Sequence, residues 1–424
     1  MSRSRSDADS QVAELLRVAK DSLGLSTAFL SRLDGTTQHL EVVETSLPVL
    51  FREGVGVAQE TSFCQHVLDG KLPEVMADVT REPVAMALPS ARVPRIRSFI
   101  SVPVTLSDGT LYGTFCVAGL QAHRQLGKKD AKLLRVLAHA AAVIVEPHLA
   151  ASQRAESIHA RLHEALERGG PLVVVQPIVD LATGIRVGSE ALSRFPPEWG
   201  MAPDEVFAQA HEVGKGHLLE LVALAGAAAI LDAGVSGYLA MNVSSATLMT
   251  PECSELLRDL PLDRVLLELS EHDPVEDYAA LTQLLLPFRS QGLRLAIDDV
   301  GSGFSSLRHV ILTNPDVIKL DRSVVAGVAE DPVLRSLIAS LVAFGHGNDV
   351  RVVAEGIETS ADADVLADLG VDYGQGWFFG RPGPPQALVD RHPTWRAELD
   401  NAQDVPAAAA AAADVAGEGS LLAS

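Results

Sequence analysis

The sequence has no hydrophobic run long enough to cross a bilayer. Its longest apolar stretches, such as residues 221–231 and 140–145, fall well short of the ~20 residues a spanning helix needs. Nor does it open on the apolar core of a secretory signal, since residues 1–10 are polar. Cysteine is scarce. Cys64, Cys116 and Cys253 are widely separated and form no CxxC pair, which argues against a disulfide framework or a zinc knuckle. All three are expected to be buried, reduced thiols, since nothing near Cys64 or Cys116 in the sequence lowers their pKa; a redox switch or a chromophore attachment point at Cys64 and Cys116 is the alternative. Positive charge is short as well: 34 Lys and Arg face 55 Asp and Glu, a formal net charge of −21. So acidic a chain is unsuited to coating nucleic acid or an anionic membrane. A small phosphate-bearing molecule remains compatible, because metal ions and a few Arg or Lys can neutralise one site locally. These absences together predict a cytoplasmic protein with neither a nucleic-acid polymer nor a membrane as partner.

What is present is a 424-residue chain, 47% hydrophobic, enough for two or three domains with cores of their own. Residues 10–147 read as an α+β domain: a helix over 11–23, a mixed sheet, and a helix over 131–145. Within it a strand over 27–33 ends at Asp34-Gly35, and Asp108-Gly109 marks a hairpin between runs at 96–106 and 110–118. Pro147 is expected to kink or end the last helix. A second helix over 151–168 then fills a linker, residues 148–170, that stops at Gly169-Gly170. From residue 171 to 392, short β-rich runs (172–176, 238–243, 265–269, 293–297, 317–320 and 350–354) alternate with helical segments. That rhythm predicts an α/β TIM-type (β/α)8 barrel. The tail, residues 397–424, carries an Ala run and reads as disordered.

Polar residues mark the ends of the barrel runs. Glu190 ends the second, Asn242 the third, Glu268 lies near the end of the fourth, and Asp298-Asp299 follow the fifth. Lys319, Glu355 and Gln375 fall at later ends. Barrel enzymes place their sites at the carboxyl ends of the strands. Five carboxylates converging there would repel one another and rise in pKa unless cations joined them. Oxygen donors plus one amide, without His or Cys, select hard ions such as Mg²⁺ or Mn²⁺. An adjacent Asp pair suits two ions, and a nearby Lys can orient a water. For Lys319 alone, a structural salt bridge to Asp321 is a competing reading.

The ordered motifs resemble the EAL family of cyclic di-GMP phosphodiesterases. Gln176-Pro177-Ile178-Val179-Asp180 and Glu190-Ala191-Leu192-Ser193-Arg194 open the match. Asn242-Val243-Ser244, Glu268-Leu269-Ser270-Glu271 and Asp298-Asp299 through Leu307 continue it. Ile318-Lys319-Leu320-Asp321, Ala354-Glu355-Gly356 and Gln375-Gly376 complete it, over residues 172–385. The resemblance implies metal-dependent opening of cyclic di-GMP to linear pGpG. Glu190, Asn242, Glu268 and Asp298 would hold one ion, and Asp298 with Asp299 the second. Lys319 would position the attacking water. Glu355 would serve as metal ligand or general base, with Gln375 supporting the water network. Gln176, Leu192 and Arg194 would contact substrate. Glu271 would anchor the loop that begins at Asp299, which in the family couples dimerisation to metal binding, so a homodimer is expected. Val300, Ser302, Phe304 and Ser270 depart from the family's usual residues in that loop or its anchor without removing a ligand.

The first block resembles GAF domains through Ser62-Phe63-Cys64-Gln65-His66, Ala77-Asp78-Val79, residues 96–103 and residues 108–117. That implies a sensor of an unknown small ligand which regulates the barrel. His272-Asp273 lacks the accompanying motif of HD-type phosphodiesterases and reads as a loop. No Gly-Gly-acidic cyclase motif is present, so synthesis of cyclic di-GMP is not expected. The alternative function is a catalytically weak EAL domain acting as a cyclic di-GMP receptor.

Overall fold

The computed structural model describes residues 6–92, 95–270, 272–301 and 306–389, and the chain divides into two compact units, Met1–Glu156 and Ser157–Ser424. The expected disordered tail and the expected anchor Glu271 lie outside the described residues.

The first unit opens with the helix Asp7–Leu23. Ser6 and Asp9 cap it reciprocally at one end, and Gly24 in the left-handed region (φ 63°) stops it at the other. Six strands follow: β1 (Thr27–Leu33), β2 (Thr37–Thr45), β3 (Gly56–Ala58), β4 (Val75–Met76), β5 (Ser98–Thr105) and β6 (Leu111–Gly119). They form one sheet in the order β3-β2-β1-β6-β5-β4. Every pairing is antiparallel, which corrects the mixed sheet expected from sequence. Short turns, such as that at Asp108-Gly109, join β1 to β2 and β5 to β6, while β4 with β5 and β1 with β6 pair antiparallel across longer connections. Both faces are covered, and residues alternate between them. Ile100, Val102, Phe115 and Val117 pack with the first helix, whereas Phe99 and Cys116 pack with Phe63 and Cys64 on the other side.

Pro147 does not end the long helix. Lys128–Glu167 is continuous through it. The proline removes one donor, and Val143, whose carbonyl loses that partner, is 60% exposed, so water can satisfy the group. The same helix corrects the expectation about apolar length. Among the described residues it is long and apolar enough to cross a membrane by length and composition, with a mean hydropathy of 1.4 over its best 18 residues. Its stripe Ala131, Leu134, Ala138, Ala141 and Ala142 is packed in the core of the first unit. Beyond Ser157 the helix packs Ile158 and Leu162 against Val206, Ala210 and Leu219 of the second unit.

The second unit is a closed eight-stranded barrel of β7 (Leu172–Asp180), β8 (Arg186–Arg194), β9 (Tyr238–Asn242), β10 (Val265–Ser270), β11 (Arg294–Val300), β12 (Val317–Leu320), β13 (Arg351–Ala354) and β14 (Tyr373–Gln375). Seven strands run in parallel. The first, β7, is antiparallel to both of its neighbours. The chain returns from β7 to β8 through a tight turn in which Thr183 N donates to Asp180 Oδ1 (2.8 Å), leaving no length for a crossover helix. Gly237 (φ 85°) leads into β9 where an added Cβ would stand 2.3 Å from Val187 O, so only glycine allows β8 and β9 to approach. Outward residues such as Leu239, Leu267, Ile297, Ile318 and Val352 join the surrounding helices in one large core.

Candidate active site at the barrel mouth

The barrel interior changes chemistry along each strand. Tyr238, Ala240, Leu266, Ala296, Val317, Val353 and Ile178 form an apolar plug. A strand turns the same face inward every second residue. Two positions on from Ala240, Leu266, Ala296, Val317 and Val353 come Asn242, Glu268, Asp298, Lys319 and Glu355. Because β7 runs the other way, its inward polar residue precedes the plug: Gln176, two before Ile178. One geometric rule therefore gathers residues spread over about 200 positions of the chain. Glu190 differs from expectation in lying in the middle of β8. Its strand continues to Arg194 because β7 is equally long and pairs with it as far as Leu172, with Gln176 opposite Glu190.

Asp298 and Asp299 are adjacent and would point to opposite faces of a regular strand. The register between β11 and β12 shifts after Ile297, and Asp299 adopts φ 61°. The irregularity turns the second carboxylate back toward the mouth. Two clusters with ligand atoms within 4.8 Å of one another result: Glu190, Glu268 and Asp298, and Asp298, Asp299 and Glu355. Asp298 belongs to both.

Lys319 lies at the centre, with its side chain 1% exposed. Its Nζ is 2.5 Å from Glu355 Oε1, 3.0 Å from Glu268 Oε1, 3.2 Å from Asp298 Oδ1 and 3.7 Å from Glu190 Oε2. The alternative bridge to Asp321 is not formed. The strand ends at Leu320, and Asp321 caps the next short helix by accepting from Ser323 N. Glu190 is held by amides: Asn242 Nδ2 donates to Oε1 (2.9 Å) and Gln375 Nε2 to Oε2 (2.6 Å). Gln375 Nε2 also lies 3.1 Å from Gln176 Oε1, and Gln176 Nε2 donates to Gly380 O (3.0 Å).

The electrostatics follow from one buried cation among five carboxylates. Burial would depress Lys319, but Asp298, Glu190, Glu268 and Glu355 outweigh it and hold its ammonium well above the usual range. Burial, with the surrounding carboxylates, pushes Glu268, Asp298 and Asp299 up, and Glu355 to about 8. For Glu190, burial is outweighed by Lys319 and the two amides, leaving it lowered. Both carboxylate oxygens of Glu268 are buried without a well-directed hydrogen bond, although one of them is close to the lysine. The site is thus short of positive charge and of donors, the deficit a divalent cation removes.

Beside the mouth opens a cleft of about 650 Å³, lined by Leu192, Arg194, Asn242 and Glu268 and on its apolar side by Phe207 and Leu224. Arg194 Nη1 donates to Ser193 O (2.9 Å). One contributor had no motif to announce it. Glu220, on the helix Gly216–Asp232, is buried and accepts from Ser244 N (2.9 Å) and Ser244 Oγ (2.7 Å), and it lies 2.6 Å from His211 Nε2. It fixes the turn directly after Asn242. The available signal is an acid flanked on both sides by leucines, in the run Leu218-Leu219-Glu220-Leu221. His272-Asp273 is a loop, as expected, with Asp273 accepting from Ser245 N. Residues 302–305 of the segment after Asp299 lie outside the described residues.

The barrel, with one antiparallel strand, carries acidic and amide side chains at its mouth, and comparison with known proteins places it in a family. The EAL domain family model matches residues 159–382, and the chain belongs to that family. A GAF domain model matches residues 6–146, so a GAF domain precedes the EAL barrel. The probable cyclic di-GMP phosphodiesterase PdeB of Escherichia coli (strain K12) is 30% identical over 56% of this chain and 47% of its own. The bifunctional diguanylate cyclase/cyclic di-GMP phosphodiesterase MucR of Pseudomonas aeruginosa is 30% identical over 54% of this chain and 35% of its own. The chain therefore spans half or less of the length of these relatives. Among solved structures, the EAL enzyme Bd1971 in its cAMP-bound form shares the fold, with a TM-score of 0.50 and 20% identity over 86% of this chain and 92% of that one.

Proposed function

We propose that this chain is a divalent-cation-dependent phosphodiesterase that opens cyclic di-GMP to linear pGpG. The observation that carries the reading is the pair of carboxylate clusters sharing Asp298 around a buried lysine. Relatives named for cyclic di-GMP hydrolysis support the substrate class. Oxygen donors without His or Cys fit Mg²⁺ or Mn²⁺. Glu190, Asn242, Glu268 and Asp298 would hold one ion, and Asp298, Asp299 and Glu355 the other. When bound, such a pair lowers the pKa of water and offsets charge on phosphate and on the departing alkoxide.

The chain's own residues do the rest. Lys319 keeps its proton, so it acts as a fixed donor that orients the attacking water and faces the developing phosphate charge. Glu355, held up to about 8 by burial and its carboxylate neighbours, would be drawn to the carboxylate form by the second ion and serve as its ligand. Gln375 and Asn242 fix the Glu190 carboxylate, and Gln375 also ties Gln176 to the same network. Arg194 offers a charged donor to a substrate phosphate, and Leu192 with Phe207 provides an apolar wall for a purine face. The GAF domain regulates turnover in response to a small ligand, in a cytoplasmic homodimer.

The test is to incubate the purified chain with cyclic di-GMP and Mg²⁺ or Mn²⁺ and separate the products. pGpG should form, and Glu190→Ala should form none. Recovery of tightly bound, intact nucleotide with either ion would make the chain a receptor instead.

A further inference from the structure

Two cysteines far apart in sequence meet inside the GAF domain. Cys64 is on the short helix Phe63–Leu68 and Cys116 on β6, 52 residues apart, yet their sulfurs are 3.3 Å from each other. Both are buried, at 2% and 0% exposure. Both are free and buried, as expected, but they are not separate. Cys116 faces the same side of the sheet as Phe99, where Cys64 packs, because alternation along β6 sends Phe115 and Val117 to the opposite face.

The surroundings are not those of two small hydrophobes. Gln38 Nε2 donates to Cys64 Sγ (3.0 Å) and also to Ser31 Oγ (3.0 Å). Ser31 Oγ is 2.8 Å from Thr114 Oγ1. Cys116 Sγ donates to Ser101 Oγ (3.2 Å) and lies 3.3 Å from Thr114 Oγ1. Gln38, Ser31, Ser101 and Thr114 are each at most 2% exposed. Four buried polar side chains around a sulfur pair are costly in a core that alanine or valine would fill without them.

We infer that Cys64 and Cys116 form an oxidisable dithiol, a site at which a small hydroperoxide converts two thiols into an intramolecular disulfide. The sulfurs need close by only about 1.3 Å to reach bonding distance. Burial raises both thiols, but for Cys64 the hydrogen bonds from Cys116, Thr114, Gln38 and Ser101 outweigh it, while Cys116 stays well above the usual range. Cys64 is therefore the attacking sulfur and Cys116 the resolving one. The Cys64 thiolate attacks one peroxide oxygen, the O–O bond breaks, and the departing oxygen leaves as water or an alcohol after taking up the proton Cys64 gave up. The resulting sulfenic acid is then attacked by the Cys116 sulfur. The S–O bond breaks, and its hydroxide leaves as water with the Cys116 proton. Two electrons pass from the two sulfurs to the peroxide, and a dithiol reductant returns them.

Cys253 supplies an internal control, since it is equally buried but its thiol is pushed up to about 11 by burial. The full chain is treated with hydrogen peroxide under native conditions, alkylated in denaturant, and mapped by mass spectrometry. The expected result is a peptide pair joined through Cys64 and Cys116, about 2 Da lighter than the sum of its reduced parts, reversed by dithiothreitol, with Cys253 still alkylated. Cys116→Ser should abolish that linkage and leave a Cys64 sulfenic acid that dimedone traps. If wild-type chain still alkylates at all three cysteines, or is oxidised only to sulfinic acid or to links between chains, the inference is overturned. The wild-type result decides the matter even if the variant fails to fold.

Discussion

Replacing Lys319 by methionine isolates what its charge does. Methionine keeps much of the length and the apolar stem, so little cavity forms, and the loss is the ammonium among four carboxylates at 2.5–3.7 Å. At an effective dielectric of 20, one unit pair about 3 Å apart interacts by about 5 kcal/mol. The net loss is smaller than the sum of four, because the stranded carboxylates take up protons. Glu355 is already raised to about 8 with the lysine present. Removing one partner from a buried ionic cluster typically costs about 3–5 kcal/mol. A domain of this size shifts by about 2–4 °C per kcal/mol, so the variant should melt roughly 6–20 °C below wild type in EDTA at pH 8. Saturating Mn²⁺ should then stabilise the variant more than the wild type, because the ion replaces the missing charge. Turnover should be lost even with metal bound. Scanning calorimetry with and without Mn²⁺ gives the comparison. A variant melting within about 2 °C of wild type in EDTA, or gaining no more from Mn²⁺, would refute the reasoning.

Three other substitutions probe separate parts of the barrel. Asp299→Asn keeps a residue tolerant of the left-handed backbone at φ 61° while removing a carboxylate that burial and Asp298 hold above its usual pKa. Metal-free stability should rise and turnover should collapse, read by melting temperature and product formation. Arg194→Ala should raise KM about 10-fold or more, with kcat and melting temperature little changed, as expected for a charged phosphate contact in an open cleft. Asp372 is lowered: burial opposes ionisation, but Val352 N, His346 and Arg351 outweigh it. A lowered carboxyl contributes stability above its unfolded pKa of about 3.9 and loses it as pH falls through its folded value. Asp372→Asn should therefore cost about 1–3 kcal/mol at pH 7, with the gap to wild type closing below about pH 4 in denaturant titrations.

The alternation of β-rich and helical runs makes the barrel legible, and polar residues at run ends mark the mouth. Their convergence is legible because strands of one barrel share a period of two and a common floor. The antiparallel β7 is not, since a short β7–β8 turn looks in sequence like any other loop between strands. The reach of β8 past Glu190 escapes for the same reason, as pairing with β7 and not local composition sets it. Asp298-Asp299 suggests two carboxylates together, but the backbone irregularity that makes it possible is a property of the β11–β12 register. Cys64 and Cys116 escape a reading by spacing altogether, because a 52-residue separation carries no sign of the sheet face they share. Of the two outcomes expected at Pro147, a kink or an end, the end is not seen: a lone proline on an exposed helix face removes one hydrogen bond, and the helix continues.

Water attack on cyclic di-GMP at the barrel mouth can be followed by running the reaction with Mn²⁺ in ¹⁸O-labelled water and weighing the product. pGpG should form carrying one label, about 2 Da heavier, on its terminal phosphate, and none should form with Glu190→Ala. Intact, unlabelled cyclic di-GMP after prolonged incubation with a folded, Mn²⁺-loaded chain would contradict it.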